Sequence, residues 1–185
     1  MNIQSKMPFS DLHPELGDEP LSVEPYLSSE YYDKEIAKIF KRDWLVVGRE
    51  EEIANPGDYK VKRLDFARTS VILMRAKDGK IGAFHNVCRH RGNKVVTETG
   101  GEETFGSNKA AVVTCRFHGW VYNAKGELVD VPQQHKFPAC FERAENGLVP
   151  IHVDSWAGFI FINLADRPSK SLAEFLGGVT EHFEG

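Results

Sequence analysis

The chain has 185 residues, of which 41% are hydrophobic and 27% charged, and its formal net charge is −4. These values are ordinary for about one globular domain with a hydrophobic core, and the negative charge excludes a general attraction to nucleic acid or anionic lipid. No apolar run approaches the roughly 20 residues of a membrane span and the N-terminus has no apolar signal core, so we expect a cytoplasmic protein.

The first 43 residues are predicted to form an arm followed by one helix. Residues 1–25 are polar and contain four prolines, which indicates an arm without a core of its own. A helix is expected over Glu30–Asp43, capped by Ser28 or Ser29. Its apolar residues fall on one face at helical spacing and are expected to pack: Tyr32, Ile36, Ile39 and Phe40.

From Trp44 onward the pattern changes to short apolar runs separated by turn residues, as in Asn55–Asp58 and Asp78–Lys80. Many short strands at regular spacing predict a mainly β fold of antiparallel sheets. The predicted strands are Leu45–Gly48, Tyr59–Leu64, Ser70–Arg75, Lys80–Asn86, Ala110–Thr114, Trp120–Asn123, Glu127–Asp130, Leu148–Val153 and Gly158–Asn163.

The segment Thr97–Asn108 is polar and rich in glycine, and it is predicted to be a loop. Two interpretations remain open: a loop that contacts a partner beside the metal site described next, or a solvated insertion. It is not a phosphate-binding loop, because no lysine–serine or lysine–threonine pair follows its glycines.

Four side chains form two closely spaced pairs that have the character of metal ligands: Cys88, His90, Cys115 and His118. Two sulfur and two nitrogen ligands suit either zinc or an iron–sulfur cluster. A glycine ends each pair, Gly92 and Gly119, and lets the backbone bend sharply and bring N–H groups close to a bound cluster. One such pair alone would carry little weight, but the two together predict a metal site.

Cys88-x-His90-Arg91-Gly92 with Cys115-x-x-His118-Gly119-Trp120 resembles the Rieske 2Fe–2S signature. Trp120 and Tyr122, with features from about residue 31 to the end of the chain, resemble the terminal oxygenase α subunits of aromatic-ring hydroxylating systems. The 24 residues between the two pairs exceed the usual spacing in that family, and the excess is expected at residues 97–109.

The resemblance implies stacked antiparallel sheets with two cluster-binding loops, an N-terminal helix and a short C-terminal helical start. Residues 1–43 would be the arm and helix, and residues 44–165 the Rieske domain. Residues 166–185 would be a linker and the start of a second, catalytic domain, with a helix beginning at Ser171–Leu176 and interrupted by Gly177 and Gly178.

The same resemblance implies that Cys88 and Cys115 bind an inner iron, while His90 and His118 bind an outer iron near solvent. His118 is the expected exit point for electrons. Two histidine ligands in place of thiolates make the cluster less negative and raise its potential above that of plant-type ferredoxins. Trp120 is expected to shield the cluster. Because it stands where respiratory Rieske proteins have a serine donor, we predict a potential of about −150 to −50 mV.

Four cationic side chains surround the predicted ligands: Arg89, Arg91, Lys94 and Arg116. They form either a docking site for an acidic ferredoxin or reductase or ordinary solvated charge, and both interpretations remain open. We expect Phe117 to be a core residue and Cys140 to be a small buried apolar group. His85 is expected to orient the first ligand loop or to pack, and His135 and His152 to be surface or strand residues.

The predicted function is that of an electron-transfer domain of an oxidoreductase, with a ferredoxin or flavin reductase as donor and the catalytic domain of the same or a neighbouring subunit as acceptor. The full-length protein would be an oligomeric dioxygenase of aromatic hydrocarbon catabolism. The family's mononuclear iron site needs two histidines close together, so we expect it outside this chain. The remaining histidines are far apart: His13, His85, His135, His152 and His182. The alternatives are a stand-alone Rieske ferredoxin and a structural zinc domain.

Overall fold

The computed structural model describes residues 14–17, 20–101 and 103–183. The prediction for His13 and most of that for the arm lie outside these residues. The chain consists of two compact units, residues 1–34 and 35–185. In the described part of the chain no helix is long and apolar enough to cross a membrane.

The N-terminal helical region is shorter and more broken than the pattern predicts. A 3-10 turn covers Pro14–Leu16, and the α-helices α1 and α2 span Glu24–Leu27 and Ser29–Glu35. Ser28 caps α2 as predicted, because its Oγ accepts the Tyr31 N–H at 3.2 Å.

The predicted helix does not continue regularly to Asp43, because a π-helix follows α2 over Ile36–Phe40. A π turn adds a residue to each turn, so side chains that would share one α-helical face are rotated apart. Ile36 is buried as expected, but Tyr32 and Ile39 are about half exposed. The prediction that the apolar residues of this helix pack along one face is therefore mostly wrong.

In the described residues, ten strands form two antiparallel sheets. Seven lie in one sheet with the order β1-β10-β9-β4-β3-β2-β5, and β6-β7-β8 form the other. This confirms the predicted fold class, and each of the nine predicted strands is found within three residues of its expected bounds. The strands are β1 (Leu45–Arg49), β2 (Asp58–Leu64), β3 (Thr69–Arg75), β4 (Ile81–His85), β5 (Glu103–Ser107), β6 (Val112–Thr114), β7 (Val121–Asn123), β8 (Leu128–Asp130), β9 (Pro150–Trp156) and β10 (Phe159–Asn163).

Strand β5 lies inside the segment predicted to be a loop, so that prediction is wrong for Glu103–Ser107. The strand pairs with β2 at the edge of the large sheet. Its pairing depends on partners distant in sequence: Glu103 lies 3.0 Å from the amino groups of both Lys60 and Lys62. The Tyr59 ring covers Gly106 so closely that an added Cβ would lie 2.1 Å from it. A half-solvated edge strand held in this way has no strong apolar alternation.

Strand β3 separates two hydrophobic cores because its successive side chains point to opposite faces of the sheet. Ile72 and Met74 face the core that contains the two predicted cysteine ligands, together with Trp120 from the loop ahead of β7. Val71 and Leu73 face a second core formed with β1, β9 and β10. The small sheet with its ligand loops therefore rests on a strand that is buried on both sides.

The predicted C-terminal helical start is confirmed as the short helix α3 (Leu172–Leu176). Ser171 accepts the Glu174 N–H, and the Glu174 carboxylate accepts the Ser171 N–H, which is a capping box. The Trp44 indole N–H donates to the Lys170 carbonyl at 2.9 Å. A 3-10 turn follows over Gly177–Phe183.

Candidate metal centre

Two loops with the same backbone turn carry the predicted ligands. The first follows β4, and the second joins β6 to β7. The Gly92 N–H donates to the Cys88 carbonyl at 3.0 Å, and the Gly119 N–H donates to the Cys115 carbonyl at 2.9 Å. Both glycines have positive φ values, +70° and +74°, which a residue with a Cβ adopts only at a cost. The glycines are therefore required by the turns that present the ligands.

The structure brings the four predicted ligands together. Cys88 and Cys115 are buried, with 2% and 1% of their surface exposed. His90 is half-buried and His118 is exposed. Their Nδ1 atoms are 3.1 Å apart, and their rings meet nearly at right angles with centroids 4.5 Å apart. The site thus has a buried sulfur pair and a more exposed imidazole pair.

This donor set fits a binuclear cluster. Within the described residues, no three histidine, cysteine, aspartate or glutamate side chains form a group that could hold one metal ion. A 2Fe–2S cluster does not need such a group, because each iron takes two protein ligands and two bridging sulfides. A sulfur pair for one iron and an imidazole pair for the other meet that requirement.

Neutral imidazoles are the form that binds metal. Burial, the nearby His118 and the charge on Arg91 together lower the pKa of His90, which favours its neutral form. Burial raises the pKa of the Cys88 thiol, so its thiolate needs a compensating positive charge. Iron ions would supply that charge.

Tyr122 contributes a contact that the sequence alone did not assign to it. Its hydroxyl lies 3.3 Å from the Cys88 sulfur and accepts the Arg89 N–H at 3.1 Å. Because the backbone N–H occupies an acceptor site on the oxygen, the hydroxyl hydrogen is available to the sulfur. Complete burial and the hydrogen bond to Cys88 raise the pKa of Tyr122, so the phenol keeps its proton. The sequence pattern marks this residue only as part of the resemblance to the oxygenase α subunits.

Trp120 and Phe117, which flank the second histidine, have opposite surroundings. Trp120 is buried and its indole stacks on His90, with ring centroids 4.9 Å apart and planes 14° apart. Phe117, expected in the core, is 61% exposed and lies 4.0 Å from the His118 ring. That prediction is wrong because Phe117 lies within the tight turn, which directs its side chain outward.

The four predicted docking residues are all exposed on the two ligand loops: Arg89, Arg91, Lys94 and Arg116. Lys94 already forms an ion pair, since its amino group lies 2.8 Å from both carboxylate oxygens of Glu98. The positive charge available to a partner at this surface therefore comes mainly from the three arginines.

The cysteine and the three histidines that the sequence analysis considered besides the ligands lie outside the two ligand turns. Cys140 is exposed, so its expected burial is wrong: it lies in the long connection between β8 and β9, not in a strand. His85 ends β4 half-buried, where burial lowers its pKa. His135 and His152 are surface residues as expected, and the His152 Nε2 lies 3.1 Å from the Asp166 carbonyl.

The region that contains both ligand loops matches a known family of proteins. Residues 43–152 match the family described as the Rieske [2Fe-2S] domain. The chain is 34% identical over 152 residues to chlorobenzene dioxygenase subunit alpha of Cupriavidus sp. (strain PS12), covering 82% of this chain and 32% of that protein. It is 31% identical over 157 residues to the carnitine monooxygenase oxygenase subunit of Acinetobacter baumannii, covering 84% of this chain and 39% of that protein.

Solved structures show the same relationship. Naphthalene 1,2-dioxygenase from Rhodococcus sp. bound to indole superposes with a TM-score of 0.79 at 28% identity, covering 94% of this chain and 38% of that chain. A quaternary ammonium Rieske monooxygenase, described with inter-subunit electron transfer, gives a TM-score of 0.75 at 28% identity, covering 87% of this chain and 41% of that chain. The chain thus spans about a third of the length of the curated relatives it matches.

Proposed function

Because the chain belongs to the Rieske 2Fe–2S domain family, we propose that Cys88 and Cys115 hold the inner iron of its 2Fe–2S cluster and His90 and His118 the outer iron. The observation that carries this assignment is the division of the four side chains into a buried sulfur pair and a more exposed imidazole pair on two matching turns. When bound, the cluster gains and loses one electron at a time. His118, the more exposed imidazole, is the proposed exit toward an acceptor.

The first test is spectroscopic. The iron-loaded chain should be reddish-brown and should give a rhombic EPR signal after reduction with dithionite, and its midpoint potential should be about −150 to −50 mV. A colourless product that retains zinc would favour the structural zinc domain instead. A midpoint above about +100 mV would contradict the low-potential assignment.

Tyr122 is proposed to raise the reduction potential, because a hydrogen bond to a thiolate ligand stabilises the more negative, reduced cluster. We expect Tyr122→Phe to lower the midpoint by about 60 mV, which corresponds to about 1.4 kcal/mol for one electron. Potentiometric titration followed by visible absorption would measure the shift. Tyr59→Phe is the matched control, because Tyr59 covers Gly106 rather than a ligand sulfur. Equal midpoints for Tyr122→Phe and the native chain would show that this hydrogen bond does not tune the cluster.

The three loop arginines are proposed to dock an acidic ferredoxin or reductase as the electron donor. Reversing Arg91 or Arg116 to glutamate should slow reduction by such a donor about tenfold at low ionic strength, because like charges then meet at the interface. The cluster spectrum should not change. Stopped-flow reduction across a salt series would measure the effect.

Lys77→Glu provides the control for charge reversal. Lys77 is exposed in the turn between β3 and β4, at the opposite end of β4 from the first ligand loop. Its reversal changes the net charge equally but should leave the reduction rate close to that of the native chain. Equal rates for the Arg91, Arg116 and Lys77 variants at low salt would exclude a docking role.

We also propose that this domain serves a larger oxygenase. Its relatives are named as subunits of chlorobenzene dioxygenase and carnitine monooxygenase. In such an assembly residues 44–165 would be the Rieske domain, with the arm and helix before it and the start of a catalytic domain from residue 166. The acceptor would be a mononuclear iron outside this chain, in the same or a neighbouring subunit, and the assembly would be cytoplasmic. Co-purification of the native product with a catalytic domain, and its mass, would test this.

A further inference from the structure

A loop between β8 and β9 packs against the aromatic side of the ligand loops. We call Gln134–Phe141 the aromatic cover. The Phe137 ring centroid lies 6.2 Å from that of His90 and 6.0 Å from that of Trp120. Phe141 lies 5.7 Å from Trp120 and 4.8 Å from Phe137. Since Trp120 itself stacks on His90, two rings contact this imidazole, and Phe141 packs against both of those rings.

The aromatic cover protects one histidine more than the other. His90 is half-buried beneath it, whereas His118 is exposed and has the 61% exposed Phe117 as its aromatic neighbour from the same loop. The two imidazoles, although equivalent as ligands, therefore differ in their access to water.

Arg143 ties the aromatic cover to the small sheet. Its Nε donates to the Gln134 side-chain oxygen at 2.7 Å, and its Nη2 donates to the same oxygen. Its Nη1 donates to the Val129 carbonyl in β8. Strand β8 pairs with β7, which begins directly after Trp120. One guanidinium group therefore connects the cover to the sheet that carries the stacked tryptophan.

A second contact holds the segment that leads into the aromatic cover, and the residue just before the cover has a strained backbone. Pro132 packs on the second ligand loop so closely that a Cβ on Gly119 would lie 2.9 Å from its ring. Gln133, which precedes the cover, has a φ of +56°. A non-glycine residue in this region is strained and persists where neighbouring contacts fix it. Arg143 supplies such a contact at the next residue, Gln134.

We propose that Arg143 is a positioning residue that holds the aromatic cover on Trp120 and His90, so that water is excluded from this imidazole and electron exchange takes place through His118. The proposal rests on the proposed function, since it treats both histidines as cluster ligands. Excluding water makes added negative charge less favourable, so the cover keeps the reduction potential low.

The test compares the iron-loaded Arg143→Met chain with the native chain. Amide hydrogen exchange should become faster across residues 134–141. Deuterium modulation in pulsed EPR spectra recorded in D2O should deepen about twofold, because water then reaches His90. The equilibrium constant for reduction should rise about threefold, which is about 30 mV for one electron. Arg63→Met, which removes an arginine paired with Asp65, should change none of these quantities.

A matched pair of phenylalanine variants separates shielding from a general effect on folding. Phe137→Leu should raise the midpoint as Arg143→Met does, whereas Phe117→Leu, the same change beside the other histidine, should leave it unaltered. If Arg143→Met does not fold, as judged by circular dichroism, the Phe137→Leu variant provides the test. A raised midpoint supports the proposal, and an unchanged midpoint overturns it. Faster amide exchange with native deuterium modulation and midpoint would overturn the proposal. Absence of a rhombic signal in the native chain would instead overturn the proposed function.

Discussion

Replacing His118 with alanine should abolish the rhombic EPR signal of the dithionite-reduced chain and reduce its bound iron to less than about a tenth of the native amount. The outer iron would keep only His90 as a protein ligand, and a cluster site depends on its full ligand set. His118 is exposed, so the truncation opens no cavity in either core. EPR spin quantification and iron analysis of the purified chain would measure both effects.

His152→Ala is the matched control, because His152 is also an exposed histidine and its imidazole contacts a backbone carbonyl. It should keep the native iron content and signal. His118→Cys distinguishes ligation from a structural role, since a third thiolate adds negative charge and should shift any assembled cluster toward the roughly −400 mV of plant-type ferredoxins. A native rhombic signal in His118→Ala would exclude His118 as a ligand.

The strands and the candidate ligand set could be located in the sequence because both depend on local sequence patterns. Short apolar runs between turn signals locate strands such as β2 and β3. Cysteine and histidine at fixed short spacing before a glycine locate the two ligand loops. The resemblance to the Rieske signature then relates the loops to each other, which spacing alone does not establish.

The features that escaped prediction depend on three-dimensional contacts and loop geometry that the apolar pattern does not encode. Strand β5 is held by the pairing of Glu103 with lysines of β2 and by the Tyr59 ring over Gly106, so its own sequence resembles a loop. The aromatic cover depends on Arg143, which is nine residues from Gln134 and follows the exposed Cys140. Phe117 is apolar, yet it belongs to a turn that points away from the core.

Glycine positions show the same distinction between local and distant causes. Gly79 lies in a turn, and an added Cβ there would meet nothing within 4 Å. Gly57 also lies in a turn and was predicted as such, but its Cβ would lie 2.0 Å from the Asn108 carbonyl oxygen, on a distant segment. Only the second glycine is required by a contact that the sequence does not reveal.

Gly57→Ala should therefore be the most damaging single substitution of a turn glycine outside the ligand loops. Its φ of +94° disfavours any side chain, and Asn108 cannot move away freely, because its N–H donates to the Gly57 carbonyl at 3.2 Å and its side chain caps Val112 at the start of β6. We expect a loss of about 3–5 kcal/mol in the free energy of unfolding, from backbone strain and overpacking together.

Urea denaturation of the iron-loaded chain, followed by circular dichroism, would show this loss as a decrease of about 2 M in the midpoint. Gly79→Ala is the matched control, since it has a similar φ of +83° without the clash and should cost about 1–2 kcal/mol. Because β6 leads directly to Cys115, Gly57→Ala should also release iron at lower urea concentration than Gly79→Ala does. Equal losses in the two variants would mean that positive φ alone accounts for the cost and that the contact with Asn108 does not support the second ligand loop.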